Sequence, residues 1–205
     1  MTANAIYLAS RSPRRRDLLK QVGVRFDPLL LRLAGPRGPA DVDEVQHPGE
    51  PAVEYVERTA REKAAFGLRV LGMRSLLPRP VLAADTVVIV DGEVLGKPSD
   101  RAEAAAFLRR MSGRAHEVRT AVALAMEGPL LTDTSVSIVT FRTLAEDEIQ
   151  RYCATAEPYD KAGGYGIQGL ASLFVERIEG SYTGIMGLPL FETGRLLAQA
   201  GIRLV

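Results

Sequence analysis

Apolar residues recur along this chain at two spacings, and clusters of Gly, Pro and charged residues cut the pattern into short strands and helices. Ile6 to Ala9 is a continuous apolar run, as in a buried strand, and Ser12 to Val22 sets Leu18, Leu19 and Val22 on one helical face before Gly23 stops it. Arg32 to Glu50 turns to Gly, Pro and acidic residues, which predicts a long, mobile connection and a lid. From Pro51 to Leu71, the residues Val53, Val56, Ala60, Ala64 and Leu71 form one helical stripe, with Lys63 at its border and positioned to face a cleft. Pro80 to Val90 is nearly all apolar and predicts a strand, which Asp91-Gly92 turns back into Glu93 to Lys97 as a hairpin. A helix over Arg101 to Met111 follows, then a second hairpin, His116 to Met126 with Leu130 to Phe141, and a helix over Ala145 to Ala154. A glycine-dense loop, Glu157 to Gly169, leads to a strand over Leu173 to Ile178, a turn at Glu179-Gly180 and a last helix from Pro189 to Ala200. The mixture predicts an α/β fold: a mixed, partly antiparallel sheet with flanking helices.

Composition narrows the class. The 205 residues, 46% of them hydrophobic, suffice for one full core and predict a single domain over 1–205, with room for two lobes. Lys plus Arg number 26 against 25 Asp plus Glu, so the net charge of +1 provides no global field for nucleic acid or an anionic membrane. A polyanion must then be held by a local cluster. The single cysteine, Cys153, excludes an intrachain disulfide and reads as a small core residue. His47 and His116 lie too far apart for a familiar zinc spacing; the first reads as solvated and the second as packed. No stretch approaches the ~18 apolar residues of a transmembrane helix, and no basic segment leads into a long apolar one. A soluble, unexported, cytoplasmic protein is expected.

The candidate chemistry begins at Leu8-Ala-Ser-Arg-Ser-Pro-Arg-Arg15, between the first strand and the first helix. Hydroxyls, backbone N–H groups and two guanidiniums converge on one turn there, which suits a multiply charged phosphate. The plainer reading is a helix start capped by Ser12 with solvated arginines. Asp85 stands out further, because a carboxylate among Val81, Leu82, Ala83, Ala84, Val87 and Val88 requires a metal, a lysine or a functional proton to compensate it. Its structural alternative is a cap on a neighbouring turn. Gly92 to Pro98 is one residue short between its glycines, and Pro98 stands in place of a hydroxyl residue, so it is no Walker loop. Gly164-Tyr-Gly-Ile-Gln-Gly169 lacks the preceding strand of a dinucleotide site. Both loops nevertheless let backbone approach a ligand closely, beside Lys97, Asp160, Lys161 and Gln168.

Taken in order, Leu8 to Arg15, Arg61-Glu-Lys-Ala64, Ala84-Asp-Thr-Val-Val88, Gly96-Lys-Pro98, Ser112 to His116, Glu157 to Gly163, Tyr165 to Gly169 and Gly187-Leu-Pro-Leu190 resemble the successive motifs of the Maf family. The family consists of nucleotide pyrophosphatases first associated with septum formation. The resemblance implies an inosine-triphosphatase-like fold of two lobes around a cleft, frequent homodimers and a divalent metal, Mg²⁺ or Mn²⁺. Within the family the chain resembles the branch acting on dTTP and UTP, since Arg14, Thr86 and Gln168 stand where that branch carries its selective residues. Gln168 can present a donor and an acceptor to the imide edge of the base, and Thr86 adds a compact hydroxyl. The implied roles follow. Ser10, Arg14, Arg15, Lys63, Lys97 and Lys161 hold the triphosphate, Asp85 orients and deprotonates water, and the metal lies on Asp85 and an acid in the Arg32 to Glu50 loop. That acid is Asp43 or Glu44, with Glu44 favoured. Rival readings are hydrolysis of modified pyrimidine nucleotides and a non-catalytic, septum-associated nucleotide-binding protein.

Overall fold

In the computed structural model, which describes residues 5–31, 42–128 and 130–204, the first apolar run is strand β1 (Ala5–Leu8). Helix α1 (Pro13–Gln21) carries a proline in its first turn and buries Leu18 and Leu19. Strand β2 (Arg25–Pro28) then lies parallel to β1, pairing Ala5 with Arg25 through Leu8 with Pro28. The apolar pattern does not predict β2, because three of its four residues are exposed and its proline suits only an edge.

The remaining elements are α2 (Ala52–Met73), β3 (Val81–Val90), β4 (Glu93–Leu95), α3 (Arg101–Met111), β5 (Ala115–Ala125), β6 (Leu130–Phe141), α4 (Glu146–Cys153), β7 (Val175–Glu179), α5 (Tyr182–Met186) and α6 (Leu190–Gln199). The strands form a sheet in the order β2-β1-β3-β5-β6-β7, with β4 paired to β3. β1 runs parallel to β2 and β3, whereas β4 on β3 and β7 on β6 are antiparallel. The sheet is therefore mixed, as predicted. The chain divides into two compact units, one from the described residues of 1–85, 121–134 and 187–205, the other from those of 86–120 and 135–186.

The first unit buries Ile6, Leu8, Leu19, Val56, Ala64, Phe66, Leu82 and Leu197. Helix α2 lies so close to β3 that a Cβ on Gly67 would stand 2.7 Å from Val81 Cγ1. Only glycine permits that approach. Val53, expected on the apolar stripe, is instead 37% exposed at the helix start.

The second unit buries Val88, Leu108, Met111, Phe141, Ile149, Tyr165 and Phe174, with Cys153 among them as a core residue. His116, Phe141, Tyr165, Phe174 and Tyr152 meet edge to face in a chain. His116 is packed as expected: Nε2 lies 2.8 Å from the Tyr165 hydroxyl, and burial lowers its pKa to about 4. Two local differences appear. Leu170–Phe174 forms a 3-10 turn that leaves Leu173 71% exposed, so β7 begins only at Val175. Helix α5, of five residues, is too short to imprint a helical period. Among the described residues no helix is long and apolar enough to cross a membrane.

Candidate active site

In the first unit the turn from β1 into α1 is built by its own side chains. Ser10 Oγ accepts from the Ser12 N–H at 3.2 Å and from Arg15 Nη1 at 3.3 Å, and Arg15 Nε donates to the Gly187 carbonyl at 2.6 Å. Ser12 occupies the cap position but makes no side-chain cap bond, so the plainer reading of this segment does not hold. No acidic residue stands in the first turn, which carries Arg14 and Arg15. Like charge at the positive end of a helix dipole is unfavourable and suits the turn to an anion. Burial lowers the pKa of Arg15, Asp85 raises it, Arg14 lowers it and Glu44 raises it.

The compensation for Asp85 is a lysine. Lys63, on the buried face of α2, donates to Asp85 Oδ1 at 2.9 Å and to Glu44 Oε2 at 2.7 Å. The Lys63 side chain is 10% exposed and that of Asp85 15%, whereas Glu44 at 60% reaches in from the surface. The charge is thus satisfied at short range in a poorly hydrated place. Tyr55 belongs to the same neighbourhood: its hydroxyl donates to the Glu44 carbonyl at 2.8 Å, and its pKa is pushed up to about 12 by burial and by the charges of Asp85 and Glu44.

Of the expected mobile connection and lid, residues 32–41 lie outside the described residues. Residues 42–50 are tied to α2, contrary to the expected mobility of this part. Arg58 donates from Nε and Nη2 to Glu50 at 2.6 and 2.9 Å, and reaches the Asp43 and Val45 carbonyls at 3.1 and 2.9 Å. The bond from Arg58 is the main reason the Glu50 pKa falls to about 2. This clamp separates the two acids. Asp43 turns back on its own loop, accepting from the Val45 N–H at 2.9 Å and lying 3.4 Å from His47, while Glu44 faces Lys63. His47 is exposed, as expected.

In the second unit Thr86 Oγ1 lies 2.9 Å from Thr120 Oγ1. Lys97, exposed after β4, sits on a loop joined to the glycine-dense segment by the bond from Gly163 N–H to the Gly96 carbonyl, at 2.9 Å. Lys161 on that segment bonds Asp160 and donates to the Glu157 carbonyl at 2.7 Å. Gln168 is exposed at the following turn. Glu157, given no role by the sequence reading, organises that turn: its carboxylate accepts from Leu170 N–H at 2.7 Å, Ala171 N–H at 3.1 Å and the Tyr152 hydroxyl at 3.1 Å. A Cβ on Gly169 would stand 2.5 Å from Glu157 Cδ. The missed residues are therefore supports: Tyr55, Arg58, Thr120 and Glu157. Glu157 is signalled only by being an acid in the glycine-dense loop, whereas Tyr55, Arg58 and Thr120 lie inside a helix or a strand and carry no signal of their own.

Among the described residues no group of three His, Cys, Asp or Glu is arranged to hold a metal. The sequence model of the family described as "Maf-like protein" matches residues 5–200. A relative from Aromatoleum aromaticum described as "dTTP/UTP pyrophosphatase" is 58% identical over 197 residues, 96% of this chain and 95% of that one. Relatives with the same description from Bordetella parapertussis and Dechloromonas aromatica are 57% and 53% identical, over 96% and 97% of this chain and 93% and 98% of theirs. A solved structure, "The structure of the Staphylococcus aureus Ham1 protein", is similar in fold, with a TM-score of 0.51 and 14% identity over 96% of this chain and 98% of that one.

Proposed function

The chain belongs to the Maf family, and on that premise we propose that it is a nucleoside triphosphate pyrophosphatase that cleaves dTTP and UTP between the α and β phosphates, releasing the monophosphate and pyrophosphate. The relatives' descriptions support the substrates. The observation that carries the chemistry is the Asp85 carboxylate, set inside a strand and held by Lys63 beside Glu44 and Arg15. A carboxylate so fixed, with one oxygen bonded to the lysine, can orient a water with the other and accept its proton. Arg14, Arg15, Ser10 and Lys63 bind phosphate oxygens and hold them as charge develops. In the second unit Lys97, Asp160 and Lys161 contribute to substrate binding, and Thr86 and Gln168 read the base.

Glu44 and Asp85 also suit Mg²⁺ or Mn²⁺. Both are hard oxygen donors already drawn to one cation, the Lys63 ammonium, and two carboxylates with phosphate oxygens are a usual magnesium set. A bound divalent ion supplies charge neutralisation on the phosphate oxygens. We extend the reading to a single functional domain, and to a homodimer in the cytoplasm, which sedimentation and cell fractionation test.

The deciding experiment incubates the protein with dTTP, UTP, CTP and 7-methylguanosine triphosphate in Mg²⁺ and separates the products. Monophosphate with pyrophosphate, fastest from dTTP and UTP, is expected. Diphosphate with orthophosphate, or no turnover of any of the four, overturns the proposal.

A further inference from the structure

Three consecutive backbone carbonyls, those of Asp43, Glu44 and Val45, are each taken by a side chain of α2. Arg58 Nη1 donates to the first at 3.1 Å, the Tyr55 hydroxyl to the second at 2.8 Å and Arg58 Nη2 to the third at 2.9 Å. A guanidinium has five N–H donors, and Arg58 spends every one. Two go to these carbonyls, two to the Glu50 carboxylate at 2.6 and 2.9 Å, and one to Glu62 at 3.3 Å. The Glu50 side chain, 10% exposed, also accepts the His47 N–H at 2.9 Å, so the fork is anchored at the far end of the same segment. Arg58 further lies over the Tyr55 ring, 5.7 Å from its centroid, and the two side chains brace each other one turn apart.

Glu44 needs this support. Its carboxylate meets Lys63 at 2.7 Å, but its side chain is 60% exposed, and an ion pair with one member in water is weak and orders a long side chain poorly. What places it is the backbone. With its own carbonyl and those on both sides fixed to α2, Glu44 starts from a set position beside the helix, and Lys63 stands two turns beyond Tyr55 on the same face. The Asp43 carboxylate is taken up by the Val45 N–H at 2.9 Å, so the same turn of chain that offers Glu44 turns Asp43 away.

We propose that Tyr55 and Arg58 are positioning residues for Glu44, and that their grip on three carbonyls holds its carboxylate, with that of Asp85, as a preformed pair for a divalent cation. The inference rests on the proposed metal role of Glu44 and deepens it. Both residues act through Glu44. A lysine in place of Arg58 has three donors on one atom and no fork, and cannot span the Asp43 and Val45 carbonyls together with Glu50.

The test measures Mn²⁺ binding, from the loss of the free-ion electron paramagnetic resonance signal, to the protein with the α,β-methylene analogue of UTP. Wild type is compared with Tyr55→Phe, Arg58→Lys, Glu62→Ala and Glu44→Gln, and with Tyr55→Phe and Arg58→Lys each added to Glu44→Gln. Arg58→Lys is expected to weaken Mn²⁺ binding about tenfold and Tyr55→Phe roughly threefold. The Mg²⁺ needed for half-maximal turnover of UTP should rise in step, with kcat at saturating Mg²⁺ little changed. Glu62→Ala removes a partner of Arg58 that holds no part of the segment, and should match wild type. On the Glu44→Gln background neither substitution should weaken Mn²⁺ binding much further, because each acts through the carboxylate already lost. Tyr55→Phe, which removes one hydroxyl, keeps the test intact should Arg58→Lys destabilise the fold. Wild-type Mn²⁺ affinity in both Tyr55→Phe and Arg58→Lys, or losses that persist undiminished on the Glu44→Gln background, overturns the inference. An unchanged Mn²⁺ affinity in Glu44→Gln overturns instead the placement of the metal on Glu44, on which the inference rests.

Discussion

Asp85 and Thr86 are neighbours on β3, yet the groups around them differ in kind. Asp85 belongs to a set of full charges: it pairs at short range with nearly buried Lys63, which also pairs with Glu44, and its charge acts on Arg15. Thr86 belongs to a neutral relay of hydroxyls ending on a backbone carbonyl. Ionic attraction is strong and tolerant of angle, which suits phosphates and developing charge; a hydrogen bond between neutral groups is weaker but directional, which suits the choice between donor and acceptor on a base. In the proposed reading, one strand carries in consecutive residues a group for turnover and a group for selection.

The sharpest way to break this comparison is to neutralise the charged side. Asp85→Asn keeps the shape but cannot take a proton, so kcat for UTP should fall roughly a thousandfold, within the range for loss of a general base. Near-normal pyrophosphate release would remove Asp85 from the chemistry. Lys63→Met should destabilise the fold by about 3 kcal/mol, because it leaves Asp85 a poorly hydrated carboxylate with Glu44 beside it. The urea midpoint measures this, and Mg²⁺ should restore part of the loss in the variant and little in wild type. On the neutral side Gln168→Ala should cost roughly 1 to 3 kcal/mol in kcat/KM for dTTP and UTP, and less for CTP and 7-methylguanosine triphosphate. Equal losses on all four would make Gln168 a support of its loop and not a reader of the base.

The smallest effect concerns the pH limit of the second unit. Buried His116 has its pKa lowered from 6.5 to about 4. Below pH 6.5 the unfolded chain takes up a proton that the folded one resists, so the stability held by neutral His116 is complete above 6.5 and declines as the pH falls toward 4. Tm should drop between pH 7.5 and 5 in wild type and drop less in His116→Gln. Equal drops would place the acid sensitivity elsewhere.

Much of this was legible because long elements imprint their period. Arg101–Met111 falls where the Ala and Leu spacing predicts a helix, and Asp85 declares itself by standing in an apolar strand. What stayed hidden was polar and non-local. Arg25–Pro28 forms a strand only because β1 offers a parallel edge. Arg58 reads as a solvated charge until Glu50 and two loop carbonyls are placed around it. Thr120 looks like any strand threonine, because its hydroxyl finds its partner in a carbonyl 64 residues away. That Glu44 faces Lys63 while Asp43 turns back on its own loop is likewise a matter of side-chain direction, which sequence spacing does not contain.

The division between charge and polarity is tested most directly in Asp85→Asn, by titrating the variant calorimetrically with the α,β-methylene analogues of UTP and CTP. With turnover gone, the account predicts that the ratio of the two affinities stays at the wild-type value, even if both weaken together. A variant that binds the two analogues equally well, while wild type prefers uracil, would show that the charged set also selects the base and would contradict it.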